Sequence, residues 1–173
     1  MEERFGPTQW VYQGRTISVR VDPVRVGEMS TSREVVIRVP AVAVVAETSR
    51  SEIVVIRQYR WAVGRYLYEL PAGKVDHDED ILSAAQRELK EETGYVADDW
   101  ELVTALYPTP GYSDEKVSLF YSRVVAYSSP HPDSDEDIQT ELWDAGKIRQ
   151  FLHSSGTING ITLAGLQWWL CKA

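Results

Sequence analysis

Residues Gly73–Tyr95 read GKVDHDEDILSAAQRELKEETGY, and the reading of this stretch decides the fold. Asp78 or Asp80 can cap a helix that runs to about Thr93, where Gly94 supplies the stop. At 100° per residue, Leu82, Ala85 and Leu89 form a narrow apolar stripe expected to face a sheet, while Ser83, Gln86 and Lys90 lie opposite in solvent. Glu88 and Glu92 are four apart and stack on one flank of the stripe, with Glu91 further round. Arg87 is expected to point away from Glu88 and Glu92 and to pair with Glu79. Lys90 is a poor i,i+4 partner for these acids, so each like-charged pair costs roughly a few tenths of a kcal/mol. Two readings stand at this point: a solvated acidic helix face, or a site for a hard divalent cation that takes oxygen ligands and brings a phosphate with it.

Working outward, Trp10–Tyr12 and Thr16–Val21 flank the turn signal Gln13-Gly14 and read as a hairpin. Val35–Val39, Ala41–Ala46 and Ile53–Gln58 are rich in Val and Ile and read as strands, the last two apolar enough for a buried sheet. Tyr66–Leu70 is a short strand stopped by Pro71-Ala72-Gly73. Leu102–Leu106 and Val117–Val125 resume strand character, Tyr127–Asp137 is a polar loop, and Ile138–Trp143 is a last strand. Asp144–Leu152 and Ile161–Leu170 read as helices. This order predicts an α/β fold, an α/β/α sandwich with a mixed sheet, preceded by an N-terminal antiparallel β-hairpin region. The boundary is expected between residues 1–34, an N-terminal β region that forms a dimer, and a domain over 35–173.

The chain has 173 residues, which fits one core-bearing domain. Its formal net charge of −8 argues against a nucleic-acid partner, which would call for a basic face. It does not argue against a phosphate-bearing substrate, because a bound cation reverses the local field. Cys171 is the only cysteine, so no internal disulfide can form; beside Trp168, Trp169 and Leu170 it reads as a packed thiol. The N-terminal residues show no apolar leader segment. The longest apolar run, Val39–Ala46, is too short to cross a membrane. The expectation is a cytoplasmic protein with no membrane partner.

Gly73, Glu79, Arg87, Glu88, Leu89, Glu91, Glu92, Gly94 and Tyr95 stand at the fixed offsets of the Nudix box, which the stretch resembles at every fixed position. Tyr95 is the soft departure, since the family more often has an aliphatic residue there. Ile56-Arg57-Gln58-Tyr59-Arg60 and Glu69-Leu70-Pro71-Ala72-Gly73 resemble the QYR and ELPAG segments of ADP-ribose pyrophosphatases and related nucleoside diphosphate sugar hydrolases. Pro110, fifteen residues beyond the box, is similar to the marker of the ADP-ribose group. Residues 158–170, with TLAGLQWWL at their core, resemble that group's C-terminal helix. The resemblance covers about Arg33 to Leu170.

The resemblance implies a Nudix-like fold and a Mg²⁺ cofactor, with Mn²⁺ the alternative. It implies Glu88 and Glu92 as the principal metal ligands, with Glu91 supporting and the Ala72 carbonyl adding an oxygen. Glu136 in the late acidic loop is the first choice for the base or an extra ligand, and Asp135 the second, because Ser134 falls where another Glu is expected. The catalytic set is thus Glu136, Glu91 and Glu92. Arg60 is expected to meet the substrate's phosphates or terminal ribose, against a plain strand-end arginine. Pro110 and the Gly111–Glu115 loop would shape the substrate cleft, against a plain turn. Trp10, Trp61 and Tyr12 are candidate stacking surfaces for adenine, or packing residues. The family also implies a homodimer. The expected activity is Mg²⁺-dependent hydrolysis of the pyrophosphate of ADP-ribose, a small-molecule nucleoside diphosphate sugar, to AMP and ribose 5-phosphate. The rivals are GDP-mannose, another nucleoside diphosphate sugar or a flavin dinucleotide as substrate, and a non-catalytic ADP-ribose-binding module. Such modules usually lose box carboxylates, and here all are present.

Overall fold

Val42, Val44 and Ala46 face one way along a strand and Ala43 and Val45 the other, and all five are fully buried. A strand buried on both faces needs a layer on each side. In the computed structural model, which describes residues 1–131, 137–154 and 157–172, those layers are present. The strands are β1 (Glu2–Arg4), β2 (Gln9–Gln13), β3 (Ser18–Val26), β4 (Met29–Ile37), β5 (Ala41–Glu47), β6 (Ile53–Arg60), β7 (Arg65–Glu69), β8 (Ala72–Lys74), β9 (Tyr95–Leu106), β10 (Val117–Tyr127) and β11 (Ile138–Trp143). The helices are α1 (Ile81–Thr93), α2 (Ala145–His153) and α3 (Gly160–Lys172).

Two units make up the described chain. The first comprises Met1–Pro40 and Tyr107–Lys116. Its antiparallel sheet is centred on β3, which pairs along its whole length with β4, from Ser18 opposite Ile37 to Val26 opposite Met29. The other edge of β3 takes β1 and β2. The expected hairpin of Trp10–Tyr12 with Thr16–Val21 is β2 with β3. The Tyr107–Lys116 segment is laid on the end of β4. The Val36 amide donates to the Tyr112 carbonyl at 2.7 Å, the Asp114 amide to the Val36 carbonyl at 3.2 Å, and the Arg38 amide to the Asp114 carboxylate at 2.9 Å. An Arg38–Glu115 ion pair at 2.9 Å closes the arrangement.

The second unit holds Ala41–Leu106 and the chain from Val117 onward. Its mixed sheet runs β11-β6-β5-β10-β9, with β5 and β10 parallel and the other pairs antiparallel. β5 and β6 pair only where Glu47 meets Ile53. Beyond that point the two strands part. β7 lies on β6, with Glu69 opposite Ile56, and β8 lies on β5, with Ala72 opposite Ala43. The Glu69–Gly73 segment therefore bridges the split in the sheet, which accounts for β8, a strand the sequence reading missed.

Helix α1 covers one face: Ala84, Ala85 and Leu89 pack with Val42, Val44, Ala46, Val54 and Phe120. Helices α2 and α3 cover the other through Ile148, Leu166 and Trp169, against Ala43, Val45, Ile53, Val55, Leu119 and Tyr121. The α/β/α sandwich expected from the sequence is thus the fold. Three local readings need correction. Leu82, 37 % exposed, is not on the buried stripe: it lies in the first turn, and the small Ala84 replaces it at the sheet. Strand β9 starts at Tyr95, not Leu102, because β10 pairs with it throughout its length. Cys171 is exposed, since α3 buries Thr162, Gly165, Leu166 and Trp169, and a residue two positions beyond Trp169 falls on the opposite side.

Candidate active site on helix α1

Asp80, not Asp78, caps α1: its carboxylate accepts from the Leu82 and Ser83 amides, each at 3.0 Å. Gly94 ends the helix with a φ of 75° and donates to the Lys90 carbonyl, a left-handed stop that glycine adopts without penalty. Between these caps the carboxylates are laid against the bridging segment. The Glu88 carboxylate lies directly on Gly73, so that a Cβ at Gly73 would overlap it. Glu92 is only 4 % exposed, and its carboxylate accepts from the Ala72 amide at 2.9 Å. Glu88 and Glu92 therefore converge on Ala72 and Gly73.

Arg87 does not point away from Glu88, contrary to the expectation from the helical wheel. Its guanidinium donates to Glu79 twice at 3.0 Å, to Glu88 at 2.8 Å, to Glu91 at 3.0 Å and to the Lys74 carbonyl at 2.9 Å. A five-donor fork can serve several acceptors from a stem that leaves the helix on the far side; the wheel fixes only the direction of Cβ. The Glu79 pairing was expected and is present. Hydrogen bonds to Glu79, followed by the other acids, hold Arg87 above the usual arginine range against partial desolvation. The same contact to Arg87 holds the Glu79 carboxyl below its ordinary value.

The described ends of the late acidic loop are tethered. The His131 amide donates to the Glu91 carbonyl at 2.8 Å and the Ser128 amide to the Gly94 carbonyl at 2.7 Å, so the chain enters the loop from the C-terminal end of α1. It leaves beside β7, where the Tyr66 hydroxyl meets the Asp137 carboxylate at 3.4 Å. Glu136 and Asp135 themselves lie outside the described residues. A cavity of about 470 Å³ opens next to this entry, lined by Glu92, Thr93, Tyr95, Tyr127, Pro130, Ile138, Thr140 and Leu142. Tyr95 packs edge-on against Tyr127 there, with centroids 5.2 Å apart, which gives the aromatic ending of the box a neighbour.

Arg60 ends β6, in alternation with Val54, Ile56 and Gln58, and so lies on the sheet face that α1 covers. Its guanidinium grips Glu69 through Nε at 3.1 and 3.2 Å and Nη2 at 2.6 Å. Glu69 was quoted in the sequence reading only as part of a motif; its near-complete burial was the missing signal. Trp61 is 87 % exposed, in the turn after β6. In the first unit, Trp10 and Tyr12 stand on β2, every residue of which is exposed. Pro110 and Gly111 form a turn closed by the Tyr112 and Ser113 amides on the Thr109 carbonyl, at 3.2 and 3.0 Å.

The chemistry of the donors fits a hard divalent cation. Helix α1 brings three carboxylates, Glu88, Glu91 and Glu92, to this edge, and the Arg87 guanidinium contacts two of them; all are oxygen donors. Gly73 leaves room for the Glu88 carboxylate that a side chain would take. Among the described residues, no three or more His, Cys, Asp or Glu side chains are already grouped so as to hold a metal ion.

Residues 37–154 match the NUDIX domain model. An ADP-ribose pyrophosphatase of Bacillus subtilis is 32 % identical over 145 residues, covering 83 % of this chain and 78 % of the relative. An ADP-ribose pyrophosphatase of Mycobacterium tuberculosis is 34 % identical over 164 residues, covering 92 % and 79 %. A methanol dehydrogenase activator of Bacillus methanolicus is 35 % identical over 142 residues, covering 82 % and 77 %. A crystal structure of an ADP compounds hydrolase superposes with a TM-score of 0.83 over 96 % of this chain and 92 % of that one, at 22 % identity, and shares the fold. The chain belongs to the Nudix family and is a Nudix pyrophosphohydrolase. Hydrolases of this family generally need divalent metal ions. No helix among the described residues is long and apolar enough to cross a membrane.

Proposed function

We propose that the protein hydrolyses the pyrophosphate bond of ADP-ribose, giving AMP and ribose 5-phosphate, with Mg²⁺ as its metal and Mn²⁺ as a substitute. The observation that carries this reading is the convergence of Glu88 and Glu92 on Gly73 and Ala72, where the sheet splits. Two of the relatives described above are ADP-ribose pyrophosphatases by name, and the Pro110 marker adds weight to this substrate.

Glu88 and Glu92 would hold the metal, with Glu91 and the Ala72 carbonyl in support. A cation bound there supplies a Lewis acid for a phosphoryl oxygen and lowers the pKa of a bound water. Glu136 takes the proton of the attacking water, as one P–O bond forms and the bridging P–O bond breaks. Arg60 faces the diphosphate and binds its negative charge alike in the substrate and in the transition state. Trp10 and the Pro110-Gly111 turn contact the nucleoside end. The exposure of Trp10, Val11 and Tyr12 along β2 supports a homodimer formed through the N-terminal strands. A cytoplasmic location completes the reading.

A substrate panel tests the assignment: ADP-ribose, GDP-mannose, other nucleoside diphosphate sugars and a flavin dinucleotide, each with Mg²⁺, scored by phosphate released after phosphatase treatment. ADP-ribose is expected to give the highest kcat/KM. Preference for another compound overturns the substrate, and binding with no turnover in Mg²⁺ or Mn²⁺ marks a binding module. Light scattering of the purified chain tests the dimer.

A further inference from the structure

We infer that Glu69 is a positioning residue for Arg60, a built-in holder that fixes the plane of the guanidinium presented to the substrate's diphosphate. The inference rests on the substrate role proposed above for Arg60 and goes one step beyond it.

Glu69 is 4 % exposed, an unusual place for a carboxylate unless it is paired. It is carried there by β7, opposite Ile56 on β6, so it shares the sheet face of Arg60 and of helix α1. Both of its oxygens are engaged by Arg60, Oε1 by Nε and Oε2 by Nε and Nη2. This takes the Nε–Nη2 edge of the fork, fixes the guanidinium plane and turns the Nη1 edge away from the carboxylate. The Arg60 side chain is about a third exposed while its partner is buried, at 38 % against 6 %. A surface ion pair of two mobile side chains contributes little; here one partner is immobile. An arginine whose plane is set before the ligand arrives loses less freedom on binding, which strengthens phosphate contacts. Three residues on, the same segment delivers Ala72 to Glu92. One bridge across the split sheet therefore locates both an anion-binding group and the metal-binding helix.

The test is a double-substitution cycle with ADP-ribose and Mg²⁺, using E69Q, R60A and the pair, with folding checked by thermal unfolding. E69Q is expected to raise KM about tenfold while kcat changes less than threefold, the split expected when a binding arginine loses its preset orientation. In the R60A background E69Q is expected to add almost nothing. Where R60A itself raises KM, an equal loss in both backgrounds, or no rise in KM for E69Q, overturns the inference. If E69Q does not fold, E69D replaces it: the charge stays while the oxygens retract by one methylene, and the same KM rise is expected. A second readout needs no turnover. The Arg60 side-chain N–H resonance, identified by its absence in R60A, is expected to be resolved and slow to exchange in the wild type and to collapse in E69Q. An unchanged resonance in E69Q overturns the inference even if ADP-ribose proves not to be the substrate. Conversely, R60A with unaltered KM beside a lost resonance in E69Q leaves the holder intact and removes only the substrate role of Arg60.

Discussion

Gly73 carries no side chain because the Glu88 carboxylate occupies the place where one would begin. Gly73→Ala should displace that carboxylate, and turnover is expected to fall at least about tenfold for an overpacking of about 1–3 kcal/mol; steady-state kinetics beside a melting curve checks both. Glu92→Gln keeps the shape of the side chain but removes its charge. Activity is expected to drop about a hundredfold or more, the size seen when a group that serves the transition state is lost, with the melting temperature within a few degrees. A fully active E92Q protein would sink the metal assignment. At this scale the identities of the box carboxylates were legible in the sequence. What Arg87 does was not, because a helical wheel projects Cβ positions and says nothing of where a long arginine side chain ends. Its guanidinium is held between Glu88 and Glu91 on its own helix and Glu79 and the Lys74 carbonyl outside it.

Helices and strands were legible to different degrees, and the differences have causes. Strands β5 and β6 are apolar on both faces and announced themselves. Strand β8 is three residues, Ala72–Lys74, with no periodicity to read; it exists because β5 offers an open edge where β6 departs. Helix α1 was placed nearly to the residue by its caps, yet Leu82 was assigned to the core, since a hydrophobic pattern cannot tell that Ala84 is wanted for close approach to the sheet. Helix α3 makes a similar approach through Gly165, where an added Cβ would run into Leu70 and Val45. Gly165→Ala is expected to cost about 1–3 kcal/mol through overpacking, offset in part by about 1 kcal/mol gained from helix propensity; urea denaturation should show a lower midpoint with an unchanged slope.

At the scale of the whole chain, acid sensitivity follows from carboxylates held below their ordinary pKa of 4.5. Glu79 is held there mainly by hydrogen bonds from Arg87, and Glu141 mainly by its bond from Lys147. Below that value the unfolded chain binds more protons at these groups than the folded one. Their contribution is therefore complete above the unfolded pKa and is lost as pH falls through the lowered folded values. The melting temperature is expected to be nearly level from about pH 7 to 5 and to decline below about 4.5. A protein with both E79Q and E141Q should decline less steeply; an identical slope would exclude these two groups.

The Pro110 turn has a consequence for how such a chain can be altered. Its segment is stitched to β4 by main-chain bonds at Val36 and by the Arg38 pairings with Asp114 and Glu115, although about seventy residues of sequence separate them. Grafting a foreign N-terminal sheet would strand residues 107–116 beside a surface they were not made for. Shuffling experiments, and natural lineages that trade these pieces, have to treat the two distant segments as one heritable block.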